Sequence, residues 1–300
     1  MNQKTRRVAT CLAAGMMMLV SIHNSSASLI NLGQAANYAV LGIGGSVSVQ
    51  SDFEVYQSAT VVNGNVGMGP YSNWTHGIDA TINGRVDYDL TDSAPTVTGT
   101  ITGGVHQINM APIVADARNA STAAAALVPT QTFSTLNEDQ TITGNGGANV
   151  IRVTGDITLK KTLHLVGGPS DMFVFQLTAA DAPSAHTLTL SGVVMDLSGG
   201  LTPDNIQWDM NGVGGGIVIS SGASVYGTFL APDRGILVDN GILGGRVIGG
   251  GGTDSHSNSV SVHSSSQITA PPPGQGVPEP STLVLGIAGL AVFQCRRRSQ

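Results

Sequence analysis

The stretch Asn63-Gly64-Asn65-Val66 recurs in altered form along the chain, and its reading decides the fold. It returns as Asn83-Gly84-Arg85-Val86, Thr98-Gly99-Thr100-Ile101, Thr154-Gly155-Asp156-Ile157, Tyr226-Gly227-Thr228-Phe229 and Gly244-Gly245-Arg246-Val247. Each copy puts a glycine where a corner needs positive φ or close backbone approach. Two positions later comes an apolar residue, expected to point inward at the start of a strand. The first three copies are 20 and 15 residues apart, and the last two are 18 apart. One coil per 15–20 residues or so is what a β-solenoid requires. A β-sandwich with glycine turns is the alternative reading.

Working outward, Tyr38–Ile43 is an apolar run suited to a buried strand, and Ser46–Val49 alternates as a half-exposed strand does. Downstream candidates are Val150–Thr154, Ile157–Leu159, Thr162–Val166, Phe173–Leu177, Thr187–Leu190, Ile206–Met210, Ile217–Ser220, Tyr226–Leu230, Gly235–Val238 and Arg246–Ile248. One segment breaks the pattern. Asn109–Val128 reads as a helix, with Asn109 as N-cap and Pro112 in the first turn. Ile113, Ala117, Ala120, Ala124 and Leu127 fall on one face of it. Alanines there would let the helix lie close against a sheet. Thr253–Ser266 is polar and serine-rich, with no strand pattern assigned.

Composition agrees. Charged residues make up 11% and aromatics 4%, while glycine is abundant at 40 residues. That disfavours a helical bundle and suits many tight turns. The net charge of −6 conceals an acidic body, because six of the 13 basic residues lie at the two ends. Without them, seven basic residues face 19 acidic ones, about −12. Nucleic acid is therefore not an expected partner. The cysteines, Cys11 and Cys295, lie outside the body, so no disulfide is expected in it.

The ends read as addresses. Lys4, Arg6 and Arg7 precede an apolar run, Val8–Ile22, and small residues lead to a junction at Ala27 and Ser28. Residues 1–27 are thus expected to be a secretory signal, with the Sec machinery as partner. The body spans residues 28–268, and a Pro-rich spacer spans 269–276. The tail, 277–300, joins Pro278-Glu279-Pro280, an apolar run from Leu283 to Phe293, and Arg296, Arg297 and Arg298. The apolar run falls short of the roughly 20 residues of a spanning helix. Arginines behind it would stay on the cytoplasmic side. The tail resembles the PEP-CTERM sorting signal of Gram-negative bacteria. The resemblance implies recognition by an exosortase, transient residence in the inner membrane, release to the surface, and a host that makes exopolysaccharide.

The body resembles the ice-binding-like (DUF3494-type) domains in Leu32-Gly33-Gln34-Ala35-Ala36-Asn37-Tyr38-Ala39-Val40-Leu41, in the Asn-Gly-x-Val phrase, and in the alanine-rich helix. Asp171–Leu177 and Asn205–Asp209 share the resemblance, while Tyr226–Pro232 followed by Gly244–Ile248 is more similar to choice-of-anchor A domains. The resemblance implies an all-β, irregular β-solenoid, right-handed, with one long α-helix packed alongside. It implies no enzymatic activity and no cofactor.

Individual sites are weak. Asp79, Asp87, Asp89 and Asp92 offer oxygen ligands of the kind Ca²⁺ takes, but they lack a Ca²⁺-loop pattern. A solvated acidic edge that discourages strand-edge association is the favoured reading. Arg85 with Asp87 and Asp89 is the sole candidate for lyase chemistry. No G-x-S-x-G or H-E-x-x-H is present. Trp74, Tyr71 and Tyr88 could stack on sugar rings, although loop packing accounts for them as well. The pairs Thr96-x-Thr98, Thr141-x-Thr143 and Thr187-x-Thr189 do not make an evenly spaced ladder in sequence. The expectation drawn from all this is a structural or adhesive envelope protein linked to exopolysaccharide. A glycan-binding module comes second and an ice binder third.

Overall fold

The computed structural model describes residues 29–51, 59–177, 186–251 and 259–271. The expected signal peptide with its Ala27–Ser28 junction lies outside the described residues, as do Pro278-Glu279-Pro280 and Arg296–Arg298. Strands pair in parallel and stack as coils with three faces. The first face runs, in spatial order, through Gln131–Phe133, Ala148–Val153, Met172–Leu177, Ile206–Asp209, the second halves of Ser224–Ala231 and Ile242–Gly249, Tyr38–Gly42, Asn65–Met68, Val86–Asp89 and Val105–Ile108. The second runs through Ile157–Leu159, Leu188–Ser191, Ile217–Ser220, Ile236–Asp239, Ser259–His263, Ser46–Val49 and Asn73–His76. The third contains Gln140–Thr143, Leu163–Val166, Met195–Ser198, the first halves of the two eight-residue strands, Gln267–Thr269, Val61–Asn63, Thr81–Asn83 and Thr100–Ile101.

Spatial order is not chain order. The coils from Tyr38 to Ile108 stack onto the coil that ends at Thr269. The helix, Ala111–Ala125, then carries the chain back along the first face to restart at Gln131. A solenoid interior is filled by columns of registered side chains. One column on the first face comprises Ile151, Phe175, Trp208, Phe229, Val247, Val40, Val66 and Val86. The Phe175 and Trp208 rings stack with centroids 3.9 Å apart, and Trp208 and Phe229 at 5.7 Å. Stacked rings of this kind add about 0.5–1.5 kcal/mol beyond their burial.

The recurring glycines sit where the chain turns. Gly64, Gly84, Gly227 and Gly245 share the corner between the third and first faces. Gly227 has φ +113°, and a Cβ at Gly245 would run into the Gly227 carbonyl, so this corner tolerates no side chain at either position. Gly155 marks a different corner, from the first face to the second, and Gly99 precedes a third-face strand. One sequence phrase thus serves three corners, which explains its irregular spacing.

The helix is shorter than Asn109–Val128 by two or three residues at each end. Met110, not Asn109, is the N-cap and has no side-chain cap bond; the Asn109 Oδ1, one residue earlier, accepts from the Ala111 N–H at 3.1 Å. Ile113, Ala117, Ala120, Ser121 and Ala124 are buried, and all but Ser121 cluster with Leu41, Val174, Leu230 and Ile248 on the sheet. Alanine allows that close approach. The polar segment Thr253–Ser266 is not strand-free: Ser259–His263 is a strand with Val260 and Val262 buried between outward serines. Its serine content disguised the alternation.

Candidate functional site: the uncovered face

The helix covers the first face, whereas the second carries no element across it among the described residues. Its inward rows are apolar except for His76 at one end. Ile157, Leu188, Ile217, Ile236, Val260, Val47 and Trp74 form one, and Leu159, Leu190, Ile219, Val238, Val262, Val49 and His76 the other. Between them an outward row runs through all seven strands: Thr158, Thr189, Val218, Leu237, Ser261, Ser48 and Thr75. On one side Ser259, Ser46 and Asn73 extend it, and on the other Ser191, Ser220, Asp239 and His263. Six intervals at the usual strand spacing give a row roughly 28 Å long. Apart from Leu237 its members are small or β-branched, and β-branched side chains are restricted at χ1. Asp239 and His263 are the titratable groups among these registered outward residues. The His263 Nε2 lies 2.9 Å from the Ser48 hydroxyl. Burial holds the imidazole below its ordinary pKa, against the pull of Asp239.

The third face has no comparable uniformity. Thr141, His164 and Asp196 are registered partners there, with the His164 Nδ1 3.0 Å from the Asp196 carboxylate. Further along the same face, Tyr226, Gly244, Thr269, Asn63 and Asn83 are in register. Hence Thr141-x-Thr143 falls on a mixed, charged surface. Thr187-x-Thr189 contributes to the uniform row. Thr96 and Thr98 are in a connecting loop, whose Thr96 carbonyl accepts from the Trp74 indole at 2.9 Å and whose Thr98 hydroxyl bonds to the His76 carbonyl. The threonine pairs make no ladder by themselves; the ladder is made by residues that no sequence interval relates.

The acidic group is not a solvated edge. Asp87 is fully buried and accepts from the Tyr38 hydroxyl at 2.7 Å and the Arg85 Nε at 2.8 Å. Asp89 is buried too, and accepts from the Thr91 and Met110 N–H groups, both at 2.9 Å. Burial would raise the Asp89 pKa, yet these N–H groups hold it below the ordinary value. Both aspartates face the helix side, where Tyr38 and the helix entry close over them. Asp92 lies elsewhere, 3.3 Å from the Ser72 N–H, and Asp79 is exposed. Among the described residues, no three His, Cys, Asp or Glu side chains gather as a metal would need. Trp74 and Tyr71 line one open cleft with Asp92 and Thr96, while Tyr88 packs on the interior instead.

Comparison with known proteins fixes what this architecture is. The ice-binding-like family profile matches residues 24–254. The chain belongs to the ice-binding-like family. An ice-binding protein of Flammulina populicola is 30% identical over 108 residues, which cover 34% of this chain and 40% of that protein. The crystal structure of an ice-binding protein from an Arctic yeast superposes with a TM-score of 0.58 at 22% identity, covering 84% of this chain and 97% of that one. The DUF3494 domain of Shewanella frigidimarina ice-binding protein 1 superposes with a TM-score of 0.52 at 17% identity, covering 80% and 97%. These structures share the fold: mostly parallel β with one helix. The ranking drawn from sequence, with an envelope role first and ice binding last, is thereby corrected. It rested on unequal threonine spacing, and register across coils does not require equal spacing.

Several residues that shape this ice-binding-like solenoid carried no sequence signal. Arg234 is fully buried and donates to the carbonyls of Gly212, His186, Gly215 and Asn211 at 2.7–3.2 Å. It fixes the turn leading into the second-face strand Ile217–Ser220. Asp171 accepts from Gly146, Gly147, Gly168 and Asn149. Burial opposes its ionisation, but these donors hold its pKa low. Gln176 donates to the Ala124 and Leu127 carbonyls at the helix C-terminus. Asp209 is buried with neither oxygen in good hydrogen-bonding geometry. Burial pushes its pKa up to about 8, against the Ser121 hydroxyl and the Arg234 charge. A lone charge inside an apolar run, as in Trp208-Asp209-Met210, is the one available hint.

Proposed function

We propose that this protein binds ice through its second face. The observation that carries the reading is the outward row Thr158, Thr189, Val218, Leu237, Ser261, Ser48 and Thr75, in register and, among the described residues, crossed by no element, with Ser48 alone buried beside His263. Ice presents a regular array of water positions. A surface that complements it needs regular spacing, little charge and side chains whose order costs little entropy. Parallel strand stacking supplies the spacing, β-branched residues the low entropy, and hydroxyls the hydrogen bonds to lattice water. Family membership supports the same reading, and so do the names of the relatives. The role is one of binding, without catalysis or cofactor. Export is part of the proposal: removal of residues 1–27 by the secretory route, and recognition of Pro278-Glu279-Pro280 by an exosortase. Purified protein is expected to slow ice recrystallisation and to partition into a slowly growing ice front. Recrystallisation and partitioning identical to those of an unrelated protein of equal size would refute it.

A further inference from the structure

The outward row of the second face is continuous in register but not in exposure. Thr158, Thr189, Val218, Leu237 and Ser261 are exposed or half-buried, and Thr75 at the far end is exposed. Ser48, between Ser261 and Thr75, is only 8% exposed. Equal strand spacing gives no reason for one member to be covered. The reason is a neighbour. His263 projects outward from the strand that carries Ser261, and its Nε2 lies 2.9 Å from the Ser48 hydroxyl. The imidazole therefore leans across to the adjoining strand and covers Ser48. Asp239 is in register with His263 on the strand away from Ser48. An open cavity of about 260 Å³, lined by Gln50, Ser51, His263 and Ser264, adjoins the ring. The ring thus borders open space, and its removal should cost little core packing.

A flat lattice does not reach a hydroxyl that lies beneath a ring. The bond to the imidazole also occupies the group that lattice water would use. Past this point Thr75 stands alone. From this geometry we infer that His263 sets one end of the ice contact: the strands from Thr158 to Ser261 make it, and Ser48 and Thr75 lie outside it. The inference rests on the ice-binding reading and narrows its footprint. The four intervals from Thr158 to Ser261 span roughly 19 Å, against roughly 28 Å for all six. His263 acts through Ser48, by covering it, so it is a positioning residue rather than a rung of the ladder. A smaller side chain at this position would restore the row to its full length, because the register of Ser261, Ser48 and Thr75 is already in place.

The test compares the unaltered protein with Thr75→Tyr, His263→Ser and the double variant. The readout is the concentration that halves ice recrystallisation, with unfolding free energy measured on the same preparations. Thr75→Tyr alone should leave that concentration unchanged, since Thr75 lies outside the contact. His263→Ser should lower it several-fold. Adding Thr75→Tyr to His263→Ser should cancel the gain, because the bulky substituent then stands within the lengthened contact. A merely structural role for His263 would not couple the two positions in this way. Lost inhibition with Thr75→Tyr alone would show that the contact already passes Ser48, and would overturn the inference. So would a His263→Ser protein of unchanged stability that inhibits no better than the unaltered one. Should His263→Ser not fold, Thr75→Tyr alone still decides between the short contact and the long one. If the unaltered protein does not slow recrystallisation at all, the ice reading itself fails, and the inference with it.

Discussion

The first and second faces are made by the same coils at the same spacing, yet their outward rows differ in kind. On the first face the row under the helix reads Gln176, Asp209, Leu230, Ile248, Leu41, Gly67 and Asp87. It mixes large apolar groups, buried acids and a glycine, each matched to one local neighbour. On the second face the row keeps to Thr, Ser, Val and Leu through seven strands. A surface covered by its own helix is specified position by position. A surface that meets a lattice repeats. Substitutions on the first face should therefore cost stability and spare ice binding, and those on the second should do the reverse.

The largest expected effect is on the covered face. Leu230 is fully buried in the cluster with Ile248, Leu41 and Ile113. Leu230→Ala should lose about 2–5 kcal/mol in denaturant unfolding, the usual cost of a core cavity. Its folded molecules should still partition into ice as the unaltered protein does. A stable Leu230→Ala variant would mean that the helix does not close this face in solution.

Asp209 sharpens the comparison through pH. Its pKa is higher in the folded state, about 8, than the ordinary 3.8. The folded state then holds the proton that the unfolded state releases, so this group makes stability fall as pH rises from about 4 to about 8. Above that window the contribution is constant. Asp209→Asn should remove the slope, and its advantage over the unaltered protein should grow through the window and then level off. Parallel stability profiles for the two proteins would show that Asp209 is not buried as described.

Much of the fold is legible in the chain because it depends on local rules. Gly64, Gly84, Gly227 and Gly245 announce corners, and Ile113, Ala117, Ala120 and Ala124 announce the buried side of the helix. The site is not legible for a definite reason. Thr158, Thr189, Val218, Leu237 and Ser261 are separated by loops of unequal length, and Ser48 and Thr75 come from the opposite end of the chain. Only the re-entry of the N-terminal coils onto the coil ending at Thr269 puts them in one row. Asp87 and Asp89 read as solvated because nothing local foretells that Tyr38 and the helix entry cover them.

The smallest expected change in stability belongs to the central claim, and one measurement addresses it. Ser261 is partly exposed within the ladder, so Ser261→Tyr should change unfolding free energy by no more than about 0.5 kcal/mol, as surface substitutions do. The ring would stand above the row and hold it off a flat lattice. Partitioning into a slowly growing ice front, measured beside unfolding on the same preparation, should show unchanged stability and lost incorporation. Full incorporation of a folded Ser261→Tyr protein would contradict the assignment of the second face as the ice-binding surface.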